Sequence, residues 1–254
     1  MITIDELWNS SDSQLWKKAL HSYWEYVKPS NLALERKLEQ LDLAYLRTLD
    51  ARGWYDFLRD QYFRWKFTAS NRYVTTTNRL RRYIEDGSLD ELHNIKLQLL
   101  SLNPADIAAG LNRADEIRGL GIAGASGLLA LMYPRFFGTV DQFAVKALRE
   151  VKALPEANML KEMNEESLKD KDGVILIRVM QRKAAEINRL FRTEEWTPRK
   201  IDKILWTYGR RKDPLVDSPR AAGDETSVQG NFQSSKQGEP EMNNHEMMAM
   251  ALKG

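Results

Sequence analysis

Two glycines bracket one leucine at Gly119-Leu120-Gly121, and further on Asp141 stands in the segment Gly138-Thr139-Val140-Asp141-Gln142. Glycine admits positive φ and puts no side chain between the backbone and a close partner. Where such a turn opens a helix, the first-turn amides have no intrahelical acceptor. With the helix dipole they make a seat for an anion such as a phosphate oxygen. Gly119, Leu120, Gly121 and Ala123 are therefore candidate phosphate-binding positions. The pair follows no strand signal, which excludes a dinucleotide-binding turn. Asp141 opens an apolar-periodic segment, where a carboxylate caps free amides. A carboxylate held ionised there can also stabilise a developing positive charge or orient an attacking water. The residues alone leave both roles open, cap and catalyst.

The elements that must position these residues read as helices throughout. Leu34, Leu38, Leu41, Tyr45 and Leu49 form one apolar stripe, predicting a single helix of about five turns. Ile177, Met180, Ala184, Ile187 and Phe191 repeat the pattern. Further helices are expected near 12–27, 51–68, 71–84, 88–100, 104–117, 122–132 and 140–150. A last one starts at the cap-and-proline pair Thr197-Pro198 and is expected to stop at Gly209. The helix ending near Arg118, the glycine turn and the helix from Ile122 make a hairpin over about 112–132. The small residues Ala123-Gly124-Ala125-Ser126-Gly127 allow its two helices to pack closely.

The chain has 254 residues, 43% hydrophobic and 29% charged, the balance of a soluble globular protein with a core of its own. There is no cysteine, which excludes disulfides and thiolate-held metals, and His21, His93 and His245 lack ligand spacing. No metal and no cofactor are expected. No apolar run reaches membrane-spanning length, and Met1–Ser10 lacks the pattern of a secretory signal. A cytoplasmic location, away from any membrane, follows as an expectation. Net charge is +2; of the 38 basic and 36 acidic residues, 5 and 7 fall in 211–254, so residues 1–210 carry +4. That is compatible with a polyanionic partner. Residues 211–254 are rich in Pro, Gly, Ser, Gln and Asn, and read as a disordered tail that could recruit a protein partner.

The segment Ile117-Arg118-Gly119-Leu120-Gly121, with Ala125, resembles the L-P-G-V-G-x-x-x-A hairpin of the helix-hairpin-helix DNA glycosylases. These are the superfamily of endonuclease III and the adenine and 8-oxoguanine glycosylases. Val140-Asp141 matches the family's V-D pair, and its 24-position separation from Ile117 needs no gap. A weaker likeness runs from Phe67 to Asn78, where Ser70 or Asn71 holds the place of the residue that wedges into DNA beside a flipped base. The resemblance implies a divergent bacterial member: an all-α, two-lobed body over 1–210, a monomer near the nucleoid with double-stranded DNA as partner. It implies Asp141 as catalytic residue, and Arg118 with Ser70 and Asn71 as DNA contacts. The family's strand-cutting members carry a lysine where Ala123 stands here. A base-excising N-glycosylase without lyase activity is expected; the alternative is a helix-hairpin-helix protein that binds DNA without catalysis. The aromatic residues Trp54, Tyr62, Trp65 and Tyr73 are available for a base pocket.

Overall fold

A computed structural model describes residues 2–211, and among these there is no strand. The chain runs through α1 (Ile4–Trp8), α2 (Ser13–Tyr26), α3 (Pro29–Glu39), α4 (Leu43–Thr48) and α5 (Ala51–Phe57). A π turn, Leu58–Tyr62, leads into α6 (Phe63–Lys66), followed by α7 (Ser70–Glu85), α8 (Leu89–Leu100), α9 (Ile107–Asp115) and α10 (Gly121–Met132). Then come α11 (Gln142–Arg149), α12 (Ala157–Glu162), α13 (Asp170–Phe191) and α14 (Pro198–Arg210). The all-helical class expected from apolar periodicity is what the described residues form.

Side-chain oxygens decide where many of these helices start. Asp12, Asp42, Asp50, Asp106, Asp141 and Thr197 each accept from an amide in the turn they precede. This capping also accounts for departures from the sequence reading. The single helix expected over 34–49 is two, because Asp42 caps a fresh start by accepting from Ala44 N at 2.8 Å. The apolar stripe breaks with it: Leu38 is buried, whereas Tyr45 is exposed. The helix expected from 104 begins instead at Ile107, where Asp106 accepts from Ala109 N at 3.0 Å. The helices α1 and α12 are too short to show a period. Residues 212–254, the expected tail, lie outside the described residues.

The core gathers around α10, whose residues from Gly124 to Met132 are all buried. Helix α9 packs along it, and α13 lies against both. Helix α14 crosses α11 and also reaches α2 near the start of the chain. The α11–α14 crossing depends on Gly209, where a Cβ would fall on the Phe143 carbonyl. The glycine expected to end α14 thus lies inside it, and the helix continues to Arg210. Trp16 sits between Trp8 and Trp196, with ring centroids 6.3 and 5.8 Å away, and ties the first helices to the approach of the last. The described residues fall within one compact unit.

Candidate functional site

The turn between α9 and α10 needs its glycines. Gly119 has φ of 104° and Gly121 of 65°, both in territory that disfavours side chains. They face different ways. A Cβ on Gly119 would lie 2.6 Å from the Thr76 carbonyl, so the turn is pressed against α7, while one on Gly121 would meet nothing within 4 Å. Helix α10 has no side-chain cap, and among the described residues nothing accepts from the amides of Gly121, Ile122 and Ala123. Three donors therefore point out of the open end of a twelve-residue helix.

Asp141 is extended, at φ −157° and ψ −179°, and its Oδ1 accepts from both Phe143 N at 2.9 Å and Ala144 N at 3.1 Å. It does cap α11. The cap uses one oxygen, and no hydrogen bond engages Oδ2 among the described residues. The backbone leading to it is fixed from two sides. Val140 N donates to Ser126 Oγ of α10 at 3.0 Å, and Thr139 N donates to Asp202 Oδ2 of α14 at 2.6 Å. The same helix that offers the open amides thus sets the position of the carboxylate.

Both features line one cavity of about 700 Å³. Its rim includes the exposed residues Lys28, Thr68, Ala69 and Arg72, and its floor the buried Glu35, Thr139, Arg199 and Asp202. Trp65, Phe67, Phe143 and Trp206 supply aromatic walls. Floor and wall are joined by a charged network. Arg199 pairs with Glu35 at 3.1 Å, Glu39 at 2.9 Å and Asp202 at 2.8 Å, and Lys203 also pairs with Glu39. Glu35 accepts further from Tyr23 OH at 2.6 Å and from the Trp65 indole. Its two oxygens are thus taken up in holding side chains that face the cavity.

These three carboxylates, Glu35 and Asp202 buried and Glu39 at the exposed edge, pair with two cations. Burial raises the Asp202 carboxyl to about 6, against the pull of Arg199 and of the Thr139 amide. Burial also pushes Glu39 up, but Arg199 and Lys203 outweigh it and the group lies below its ordinary value. Lys66, half-buried on the same wall, has its ammonium destabilised by burial, while Asp141 and then Asp202 partly restore it.

The structure brings Gly121, Leu120, Ala123 and Asp141 to one cavity. Gly119 stands behind the turn against α7. Ser70 and Asn71 are exposed at the start of α7, next to the rim residues Ala69 and Arg72 without lining the cavity themselves. Arg118 is turned away from it. Its guanidinium pairs with Asp86 at 2.7 Å and Glu91 at 3.1 Å and lies 4.3 Å from the Tyr83 ring centroid. It is thereby lost as a free phosphate contact. Of the aromatic candidates, Trp54 and Tyr62 are core and Trp65 is wall.

Sequence reasoning did not single out the floor. A signal exists in α14, where Arg199, Asp202, Lys203, Trp206 and Arg210 recur at helical spacing beside the apolar Ile201, Ile204 and Leu205. A helix carrying charge on an arc where it must be buried announces a polar cluster. Lys66 gave none, because the π turn before it shifts the register in a way that apolar periodicity does not report. No family model, curated protein or solved structure matches this chain.

Proposed function

We propose that the chain binds double-stranded DNA and hydrolyses the N-glycosidic bond of a damaged or modified base swung into the cavity. The observation that carries this reading is the juxtaposition of Asp141, with one oxygen uncommitted, and the open amides of α10 in a single cavity with aromatic walls. The amides at Gly121, Ile122 and Ala123 suit a phosphate flanking the flipped nucleotide. The 700 Å³ cavity is large enough to take a nucleobase, and Trp65, Phe143 and Trp206 offer faces for stacking. With the base inside, the sugar lies toward the rim. Asp141 then stabilises positive charge developing at C1′ and orients a water to attack that carbon. The base leaves with the bonding pair, water supplies the hydroxyl, and an abasic site remains. The helix-hairpin-helix resemblance of α9 and α10 supports the DNA partner.

The test is Asp141→Asn. Asparagine caps about as well as aspartate, so the melting temperature should stay close to that of the wild type. Loss of the charge should lower base release from a responsive lesion duplex by ~100-fold or more. Release is read as alkali-labile sites across a panel of lesions. Unchanged release in the variant refutes the role of Asp141. Tight, salt-sensitive duplex binding with no product from any lesion favours the binding-only alternative, for which the short, exposed Ser70 and Asn71 at the expected wedge position already speak.

A further inference from the structure

Helices α3, α7 and α10 all begin at the cavity, and none of the three has a side-chain cap. Aspartate or threonine closes most of the other helix starts, so the positive ends of these three stand open at one place. Beyond the free amides of Gly121, Ile122 and Ala123, those of Ser70 and Asn71 in α7 also have no acceptor among the described residues. The exposed rim residues Lys28 and Arg72 are cations without an ion pair among the described residues. A deeper cation is equally uncommitted. Lys66 closes α6, and its stem passes over Gly127 of α10, where a Cβ would lie 3.3 Å from Lys66 Cδ. Gly127 is about one helical turn in from Ala123, the last of the open amides. The Lys66 amine lines the same cavity as Ala123 and makes no hydrogen bond or ion pair among the described residues. Arg199 and Lys203, by contrast, are both paired. Burial destabilises the Lys66 ammonium, and Asp141 restores it only in part. Stability does not explain an ammonium buried without a partner, which is costly. An oxyanion between the amine and the α10 amides would be that partner.

We infer that the cavity binds a terminal phosphate, a phosphomonoester on an aromatic-bearing group such as a nucleoside 5′-monophosphate, seated between the α10 amides and Lys66. The inference shares the α10 amides with the DNA reading but needs neither a duplex nor the cleavage of any bond. A backbone phosphodiester carries a single charge and is tied to sugar on both sides, which keeps it at the rim. A monoester carries a charge of about two at neutral pH and is tied on one side only, so it can follow the amine inward. Free amides and an ammonium are its natural donors. Asp141 sets the orientation. Its uncommitted oxygen repels an anion, so the phosphate belongs on the α6 and α10 side and the nucleoside toward α11. There the same oxygen can accept from a sugar hydroxyl or a ring N–H, while Trp65 and Trp206 offer faces for the base. A free nucleotide and the phosphorylated end of a DNA strand both present this group.

The experiment is calorimetric titration of the full chain at low salt with inorganic phosphate, adenosine 5′-monophosphate and adenosine. The monophosphate should bind at one site, more tightly than inorganic phosphate and at least ~10-fold more tightly than adenosine. Lys66→Met keeps the stem and removes the charge. It should weaken the monophosphate by ~10-fold or more while the melting temperature holds or rises, since an unpaired buried ammonium has gone. Ala123→Glu, which puts a carboxylate among the open amides, should show the same loss, and it decides the matter if Lys66→Met does not fold. Two duplexes that differ only in a 5′-phosphate or a 5′-hydroxyl at one end separate the sources. Tighter binding of the phosphorylated duplex assigns the site to strand ends; no difference, with the monophosphate bound, assigns it to free nucleotides. Absence of saturable monophosphate binding, equal affinity for adenosine, or unchanged affinity in a folded Lys66→Met overturns the inference. Duplex binding without monophosphate binding leaves the DNA reading standing and this one refuted. Monophosphate binding without affinity for any duplex does the reverse.

Discussion

Asp202 holds a proton at a pH where exposed aspartates have lost theirs, and the reason is local accounting of charge. Arg199 and Lys203 neutralise two of three nearby carboxylates, and burial raises the one that gains least from keeping its charge to about 6. Its folded-state value lies above its unfolded one, so the native state binds the proton more tightly. The stability this contributes is complete below about pH 4 and is lost as pH rises through 6, amounting to about 3 kcal/mol at most. Glu39 runs the other way, its depressed value adding stability that is lost on acidification. The two are separated by comparing wild type with Asp202→Asn. Between pH 4 and pH 7 the difference in melting temperature should move in the variant's favour, and the Asp202 carboxyl carbon should titrate near pH 6 in an NMR experiment. A pH-independent difference would show that the Asp202 proton does not distinguish the folded from the unfolded chain. Consequences for the site follow, because Asp202 accepts from Thr139 N and so anchors the backbone that presents Asp141.

At the scale of elements, α14 is the support on which the site rests, and its crossing with α11 is set by one missing methyl group. Gly209 meets the Phe143 backbone at the point of contact. Gly209→Ala suits a helix interior better by propensity, a gain of about 1 kcal/mol. Separation of the two helices should overwhelm it, giving a net loss of about 2 kcal/mol or more in denaturant unfolding. An unchanged or raised midpoint would mean that the crossing is not that tight. The same residue shows where sequence reading reaches its limit. Glycine late in a helical pattern ordinarily marks its end, and nothing along the chain reveals that a carbonyl from α11 occupies the space instead. By contrast, the start of α14 was legible from Thr197-Pro198, and the glycine turn before α10 from Gly119 and Gly121, because caps and positive φ are written in residue types. Asp141 was legible as a cap, by its residue type at the start of an apolar-periodic segment. Its cavity partners were not, since Glu35, Lys66 and Arg199 come from α3, α6 and α14, and the contacts between them are long-range.

Across the whole molecule the question is where a DNA backbone would lie, and charge that is already spent must be set aside. Arg118 is clamped by Asp86 and Glu91, Arg113 pairs with Glu116 at 2.7 Å, and Arg149 is held by Glu165 at 2.8 Å and two carbonyls. The modest net charge of +2 therefore conceals how few basic groups near the turn stay available. Two on α7 do. Arg72 on the cavity rim and Arg79 seven residues on lie on one face of the helix, both exposed and neither in an ion pair among the described residues. The α7 backbone touches the turn at Gly119, so this stripe and the open amides of α10 can follow one strand. Each phosphate contact contributes about 0.9 to the slope of log affinity against log salt. Replacing Arg72 and Arg79 by glutamine should accordingly flatten that slope by about 1.8 and weaken binding equally for unrelated sequences, since phosphate contacts carry no base information. Ala123→Glu probes the other half of the surface. An acid in the first turn of α10 favours the helix and its dipole, so folding should be kept, yet it puts negative charge where the phosphate would sit. Duplex affinity should fall in that variant, and the fall should shrink as salt screens the repulsion. If both variants bind as the wild type does at every salt concentration, the nucleic acid contacts a different face and the cavity must be approached from elsewhere.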